Sequence, residues 1–220
     1  MTLTAPLILQ AYQQGYFPMA DSRDDHEIFW VKPRIRYLLP LNISPEKRFH
    51  ISKSLKKSLL KKNYYAACNQ RFSDVIHHCA TVKNNARTNT WINIEIEKIY
   101  NELHHLGHAH SVEIYDKGDD SLIGGLYGLA IGGAFFGESM FSSKSNASKM
   151  ALCHLIMRLI GAGYILCDAQ FENPHLQQFG AYSVPDNSYM QQLKKALTVE
   201  KSFAFDPIIG INEMSLFLND

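Results

Sequence analysis

Residues 110–142 read H-S-V-E-I-Y-D-K-G-D-D-S-L-I-G-G-L-Y-G-L-A-I-G-G-A-F-F-G-E-S-M-F-S, three apolar runs separated by two turn-forming patches. The runs Ser111–Tyr115, Ser121–Ala130 and Ala134–Phe141 have the period of strands and not of helices. Asp116–Asp120 and Ile131–Gly133 between them are rich in Asp and Gly, which accept the backbone angles of tight turns. The stretch therefore predicts an antiparallel meander of three strands.

Helical patterns flank this meander. Upstream, Ile92, Ile96, Ile99, Leu103 and Leu106 recur at helical spacing through Asn93–Leu106, and Gly107 closes the run. Earlier still, a helix spans Leu7–Gln14 and stops at Gly15 and Pro18. An extended piece follows at Ile35–Leu41, then a lysine-rich helix over Ser52–Lys62 and a short helix from Ser73 or Asp74 to Val82. Downstream, Ser145 or Asn146 caps a helix carrying Ala151, Leu152, Leu155, Ile156, Leu159 and Ile160 on one side. Tyr164–Gln170 reads as a short buried strand, Pro174–Phe179 as a helical turn and Asn187–Leu197 as a last helix. A meander extended by a strand that arrives after a helix predicts an α+β fold, with a mainly antiparallel sheet flanked by helices, the order of small N-acyltransferases.

Composition narrows the class. The 220 residues are 46% hydrophobic and 20% charged, which excludes a disordered chain, and no apolar run reaches the roughly 18 residues of a spanning helix. No Lys or Arg precedes Arg23, so the basic flank of a secretory leader is missing and a cytoplasmic location is the expectation. The four cysteines, Cys68, Cys79, Cys153 and Cys167, form no C-x-x-C pair and read as reduced thiols. His104 and His108 have the spacing of zinc ligands on a helix, but Gly107 ends the helix between them, so no metal is expected. The net charge of +1 hides an asymmetry: residues 1–91 hold fourteen Lys and Arg against six Asp and Glu, leaving the rest of the chain acidic. The first part suits a polyanion and the second a cation.

Several residues stand out chemically. Lys47, Arg48, Lys53, Lys56, Lys57, Lys61 and Lys62 fall within 16 positions, a run that suits either a solvated helix face or phosphates. Arg87 and Trp91 add charge and a stacking surface, the combination that holds an unpaired nucleic-acid end, while core packing competes for Trp91. Six glycines between Gly124 and Gly137 do not fit a dinucleotide loop and mark either a bulge or ligand approach, or close packing of a helix on the sheet. Glu138 sits among aromatic residues, where strict alternation places it on one side with Phe136 and Met140, and a carboxylate there needs a cation or donors. Asp168 and Gln170, two apart at the end of an apolar strand, point to one face. They act in proton transfer, Asp168 with a raised pKa, or else satisfy loop amides.

Nine strings, spread in order from residue 11 to 176, together resemble the leucyl/phenylalanyl-tRNA protein transferases. They are A-Y-Q-Q-G-Y-F-P-M at 11–19, F-H-I-S-K-S-L at 49–55, T-W-I at 90–92, A-H-S-V-E at 109–113 and G-G-L-Y-G at 124–128. After them come G-E-S-M-F-S at 137–142, N-A-S-K at 146–149, D-A-Q at 168–170 and N-P-H-L at 173–176. The resemblance implies a small basic N-terminal domain, set here at 1–62, joined to an acyltransferase-like catalytic domain at 63–220. It implies transfer of Leu or Phe, and less well Met, from aminoacyl-tRNA to the N-terminal Arg or Lys of a protein, a tag for degradation by the N-end rule. An ester becomes an amide, so neither cofactor nor metal is implied, and no membrane partner.

Residue by residue, the resemblance implies that Gln170 assists deprotonation of the attacking amine, Asp168 polarises Gln170, and Glu138 holds the acceptor's cationic residue. Leu126, Phe135, Met140, Leu152, Leu155 and Cys167 match the apolar pocket for the transferred side chain, Trp91 lies near the terminal adenosine, and Trp30 belongs with them. Given that activity, the basic run and Arg87 make Lys53, Lys56, Lys57, Lys61, Lys62 and Arg87 the expected tRNA contacts, with a solvated helix face as the alternative for the lysines. Cys167 departs from the usual branched aliphatic residue, which implies a shifted preference between Leu and Phe. An acyl-CoA-dependent N-acyltransferase is the alternative, but S-S-K-S-N-A-S-K at 142–149 stands where its pyrophosphate-gripping loop would be.

Overall fold

A computed structural model describes residues 3–41, 46–61, 63–81 and 89–203, together with the backbone of a strand at 208–209. Its elements in chain order are α1 Ala5–Gln13, β1 Phe17–Met19, β2 Phe29–Val31, β3 Ile35–Leu38, α2 Lys53–Leu59, β4 Tyr64–Cys68, α3 Phe72–Thr81 and α4 Ile94–His105. They continue as β5 Ala109–Asp116, β6 Leu122–Ile131, β7 Ala134–Ser142, α5 Ala147–Gly161, β8 Leu166–Asp168, α6 Pro174–Gln177, β9 Tyr182–Pro185, α7 Asp186–Leu197 and β10 Ile208–Ile209.

The predicted meander is the centre of an eight-stranded sheet ordered β10-β4-β5-β6-β7-β8-β3-β9. All its pairings are antiparallel except β7 with β8. Helices cover both faces. On one, α5 and α2 pack Leu152, Leu155, Ile156, Leu55 and Leu59 against Val112, Ile114, Leu126 and Phe135. On the other, α1, α3, α4 and α7 bury Ile8, Tyr12, Val75, Ile96, Tyr100 and Tyr189 against Tyr127, Leu129, Phe136 and Phe141. The alternation of β-strands thus sends Phe135 to one layer and Phe136 to the other. No helix among the described residues is long and apolar enough to cross a membrane.

Local chemistry sets the helix ends. Asn93 accepts the Ile96 amide at 2.8 Å and starts α4; the chain leaves it at Gly107, whose φ of +81° is the left-handed C-terminal conformation. Asn146 departs from the expected cap: it precedes α5 at φ +67° without a side-chain bond to the helix, and Ser142 Oγ instead accepts the Ser148 amide at 3.2 Å. Three short elements lack a readable period. β4, Y-Y-A-A-C, carries no polar alternation; β9 is four residues ending in Pro185; and β3, drawn from the first 62 residues, pairs between β8 and β9.

Two glycines show what the glycine-rich meander does. A Cβ on Gly124 would lie 2.5 Å from the Ala147 Cβ, so this glycine lets α5 sit directly on the sheet. A Cβ on Gly128 would lie 2.3 Å from the Phe136 carbonyl oxygen, on the strand that carries Glu138. There the register slips: Gly128 pairs with Gly137 but Tyr127 with Ser139, leaving Glu138 as the extra residue of a β-bulge. The bulge corrects the expected alternation, because one inserted residue reverses every later side chain. Phe136 therefore faces the α1 and α4 layer, whereas Met140 packs with the α5 layer.

Candidate active site

The parallel pairing of β7 with β8 runs from Ala134 and Leu166 to Phe136 and Asp168 and stops there. Beyond it the bulged part of β7 and the segment after Asp168 diverge, and a cavity of about 360 Å³ opens between them. Leu126 and Met140 come from β6 and β7, Leu152 and Leu155 from α5, Cys167 from β8, and Leu39 and Leu176 complete an apolar lining. Trp91, Glu138, Ala169 and Asn173 stand where this cavity meets a second one of about 180 Å³. The second is lined further by Phe17, Met19, Gln170, Phe171 and Glu172, and is aromatic and acidic.

Glu138 sits on the shared wall. Its Oε1 accepts hydrogen bonds from Tyr12 Oη at 2.7 Å and from Gln170 Nε2 at 3.1 Å, and the Tyr12 hydroxyl also bonds that of Tyr100. Burial pushes the Glu138 carboxyl up to about 8; the charge of Asp168 adds to this, while Tyr12, Tyr100 and Arg36 oppose it.

Asp168 is fully buried and lines neither cavity. Its Oδ2 accepts from Arg36 Nη1 and from Tyr189 Oη, each at 2.7 Å, and its Oδ1 accepts the main-chain amide of Gln170 at 2.8 Å. Burial pushes this carboxyl above its usual range, and Arg36, Tyr189 and the Gln170 amide pull it back. The last bond has a conformational purpose. Gln170 holds φ +58°, a left-handed angle that costs a non-glycine residue on the order of 1–2 kcal/mol, and the Asp168 carboxylate holds the amide in place. So held, Gln170 is 94% buried and turns its side chain toward Glu138. Asp168 meets Gln170 through the main chain, and the Gln170 side-chain amide is bonded to Glu138.

Arg36 is 1% exposed, with its guanidinium 4.4 Å from the centre of the Tyr189 ring and 5.2 Å from that of Phe17, and it also donates to the Gly15 carbonyl. β3, α7, β8 and the end of α1 are thereby tied together behind the cavities. Tyr12, Tyr100, Arg36 and Tyr189 were not among the residues picked from the sequence. Two carried a signal: Arg36 is a charge inside an apolar strand, I-R-Y-L-L, and Tyr12 continues the buried face of α1 after Ala5 and Ile8.

Of the expected pocket residues, Trp91, Leu126, Met140, Leu152, Leu155 and Cys167 line the larger cavity. Phe135 lies fully buried in the core, and Trp30 packs against the opposite cluster; neither lines either cavity. Lys53, Lys57 and Lys61 are exposed and Lys56 partly so, on α2 or just after it, and α2 packs on α5, the helix that walls the larger cavity. Lys62 and Arg87 lie outside the described residues.

With this geometry in place, the chain compares with known proteins as follows. A family model described as "Leucyl/phenylalanyl-tRNA protein transferase" matches residues 43–194, and one described as the N-terminal domain of the same proteins matches residues 1–34. A protein of Ruegeria sp. named leucyl/phenylalanyl-tRNA--protein transferase is 50% identical over 197 residues, covering 90% of this chain and 88% of its own. Proteins of the same name from Hyphomonas neptunium and Roseobacter denitrificans are 48% and 43% identical, covering 89% and 97% of this chain and 73% and 96% of theirs.

Proposed function

The chain belongs to the leucyl/phenylalanyl-tRNA protein transferase family, and from that premise we propose that it moves Leu or Phe from aminoacyl-tRNA onto the N-terminal Arg or Lys of acceptor proteins. It is an aminoacyltransferase. The observation that carries the finer reading is the pair of cavities meeting at Glu138, Trp91, Ala169 and Asn173. A transfer between two substrates needs two compartments with a common wall at which the reacting atoms meet.

The larger, apolar compartment suits the Leu or Phe side chain, with Met140 as a wall that adapts to either shape. Trp91 at the junction offers a surface for the terminal adenosine, and the lysines of α2 suit phosphates of the acceptor stem. The smaller compartment sets Glu138 and Glu172 among Phe17, Phe171 and Trp91, which suits a cationic side chain by charge and by ring stacking. Gln170 and Asp168 belong to the catalytic group, Asp168 by fixing the left-handed Gln170. Tagging of proteins for degradation in the cytoplasm is the process this activity would serve.

Incubation with radiolabelled Phe-tRNA and a peptide beginning with Arg tests this. Label is expected on the Arg peptide and not on an otherwise equal Asp peptide. Labelling from acetyl-CoA in place of charged tRNA, or of both peptides alike, would refute it.

A further inference from the structure

We propose that Glu172 reads the second residue of the acceptor chain, favouring Lys or Arg there and disfavouring Asp or Glu. This rests on the two-substrate reading above and deepens it: the acceptor's N-terminal cation falls to Glu138, and Glu172 is left for the residue behind it.

The two carboxylates line one compartment at different depths. Glu138 stands where the cavities meet and belongs to both linings, whereas Glu172 lines the smaller cavity alone and is exposed to solvent. An α-amine that attacks the ester has to come to the junction of the cavities, so the acceptor enters amine first and its chain runs back toward solvent. Consecutive Cα atoms lie about 3.8 Å apart, and successive side chains of an extended chain point to opposite sides. The second residue is thus one step outward, with its side chain turned away from the one that Glu138 holds. That is the solvent side of the compartment, where Glu172 stands.

Charge argues next. Glu172 Oε1 accepts from Gln177 Nε2 at 2.9 Å, a neutral partner, and among the described residues no Lys, Arg or His forms an ion pair with it. Other carboxylates at the surface are treated differently: Asp74 is paired with Arg71, Asp116 with Lys144 and Asp186 with Lys32. The Glu172 charge is therefore held in place without being neutralised. It is felt inside the protein, since the Tyr37 hydroxyl of β3 is pushed up first by burial and then by Glu172.

The backbone under it is pinned on both sides. Before Glu172, the Phe171 amide donates to the Ala169 carbonyl at 2.7 Å; after it, Asn173 Oδ1 accepts the His175 amide at 2.9 Å and the Leu176 amide returns to the Asn173 carbonyl at 2.8 Å. The Phe171 ring stands edge-on to Phe17 with centres 5.5 Å apart and stays 44% exposed. A fixed carboxylate beside an exposed ring meets both parts of a Lys or Arg side chain, the charge at its tip and the stem behind it. An acidic second residue would bring a like charge to the same place.

The expected effect is modest because Glu172 is exposed. Such a pair changes affinity a few-fold and a like charge costs a similar factor, so Lys and Glu at the second position should differ by about three- to tenfold at low salt.

Competition in one reaction tests this. Two peptides, beginning Arg-Lys and Arg-Glu and otherwise the same, share one supply of Phe-tRNA, and the ratio of products gives the ratio of their kcat/KM values whatever fraction of the enzyme is active. Wild type should favour Arg-Lys by about three- to tenfold, falling toward one at about 0.5 M salt. Glu172→Gln should bring the ratio near one at every salt concentration, and Glu172→Lys should invert it. A wild-type ratio of one, or a preference for Arg-Lys that survives in either variant, would overturn the assignment of Glu172. A wild-type enzyme that labels neither peptide from Phe-tRNA defeats the two-substrate reading itself, so the two failures are distinguishable.

Discussion

Replacing Arg36 by Met removes the cation that faces Asp168 while keeping most of the stem that fills the space between Tyr189 and Phe17. Both partners are buried, at 1% and 0% exposure, and their atoms lie 2.7 Å apart. Removing one member of such a pair leaves an uncompensated charge and costs about 3–5 kcal/mol. For a chain of this size that is a fall in Tm of roughly 6–20 °C, at about 2–4 °C per kcal/mol. The loss should depend on pH with a definite sign. Burial already pushes the Asp168 carboxyl up, and without the guanidinium only Tyr189 and the Gln170 amide oppose it. The folded variant then holds a proton that the unfolded chain has released. Its stability is therefore lost as pH rises through the raised folded pKa and is regained below it. Thermal unfolding of wild type and variant at about pH 8 and about pH 5 should show a larger deficit at the higher pH. Adding Asp168→Asn to Arg36→Met should restore much of the stability at the higher pH, because no charge remains to be stranded. A single variant within about 1 kcal/mol of wild type, or a double variant no better than the single, would refute the pairing as the reason for both residues.

Three further outcomes are expected. Cys167→Leu adds volume to the wall of the larger cavity and should lower kcat/KM for Phe-tRNA relative to Leu-tRNA by about tenfold or more, measured as competing transfer. Lys53→Ala with Lys57→Ala removes two exposed charges and should reduce the slope of log affinity for tRNA against log salt by about one per lysine; an unchanged slope returns α2 to a solvated face. Gly128→Ala drives a methyl into the Phe136 carbonyl and should destabilise the chain by about 1–3 kcal/mol, with transfer lost beyond what unfolding explains, because the bulge at Glu138 shifts.

Much of the site was legible because its residues break local rules. A glutamate amid phenylalanines, and an Asp and Gln two apart after an apolar strand, are chemical anomalies visible in a few adjacent letters. Their roles were not visible. Which atom of Gln170 meets Asp168 depends on a left-handed backbone angle, and whether Asp168 reaches a substrate depends on Arg36 and Tyr189, 132 and 21 residues away. Phe135 illustrates the reverse: it matches a pocket position by resemblance, yet its side chain lies in the packed interior, and Trp30, expected with the pocket residues, packs half-buried against the opposite cluster.

By itself, the sequence determined what short-range physics controls: the meander, from its two-residue period and Asp-Gly turns; the helices, from their apolar stripes and terminal glycines; and the split of basic from acidic residues. Tertiary structure alone decided what depends on long-range pairing. That includes the recruitment of Ile35–Leu38 between β8 and β9, the end of the β7–β8 ladder that opens the cavities, and the slip that re-aims Glu138. A strand's partners and register are set by chain segments far away in sequence, and no local period records them.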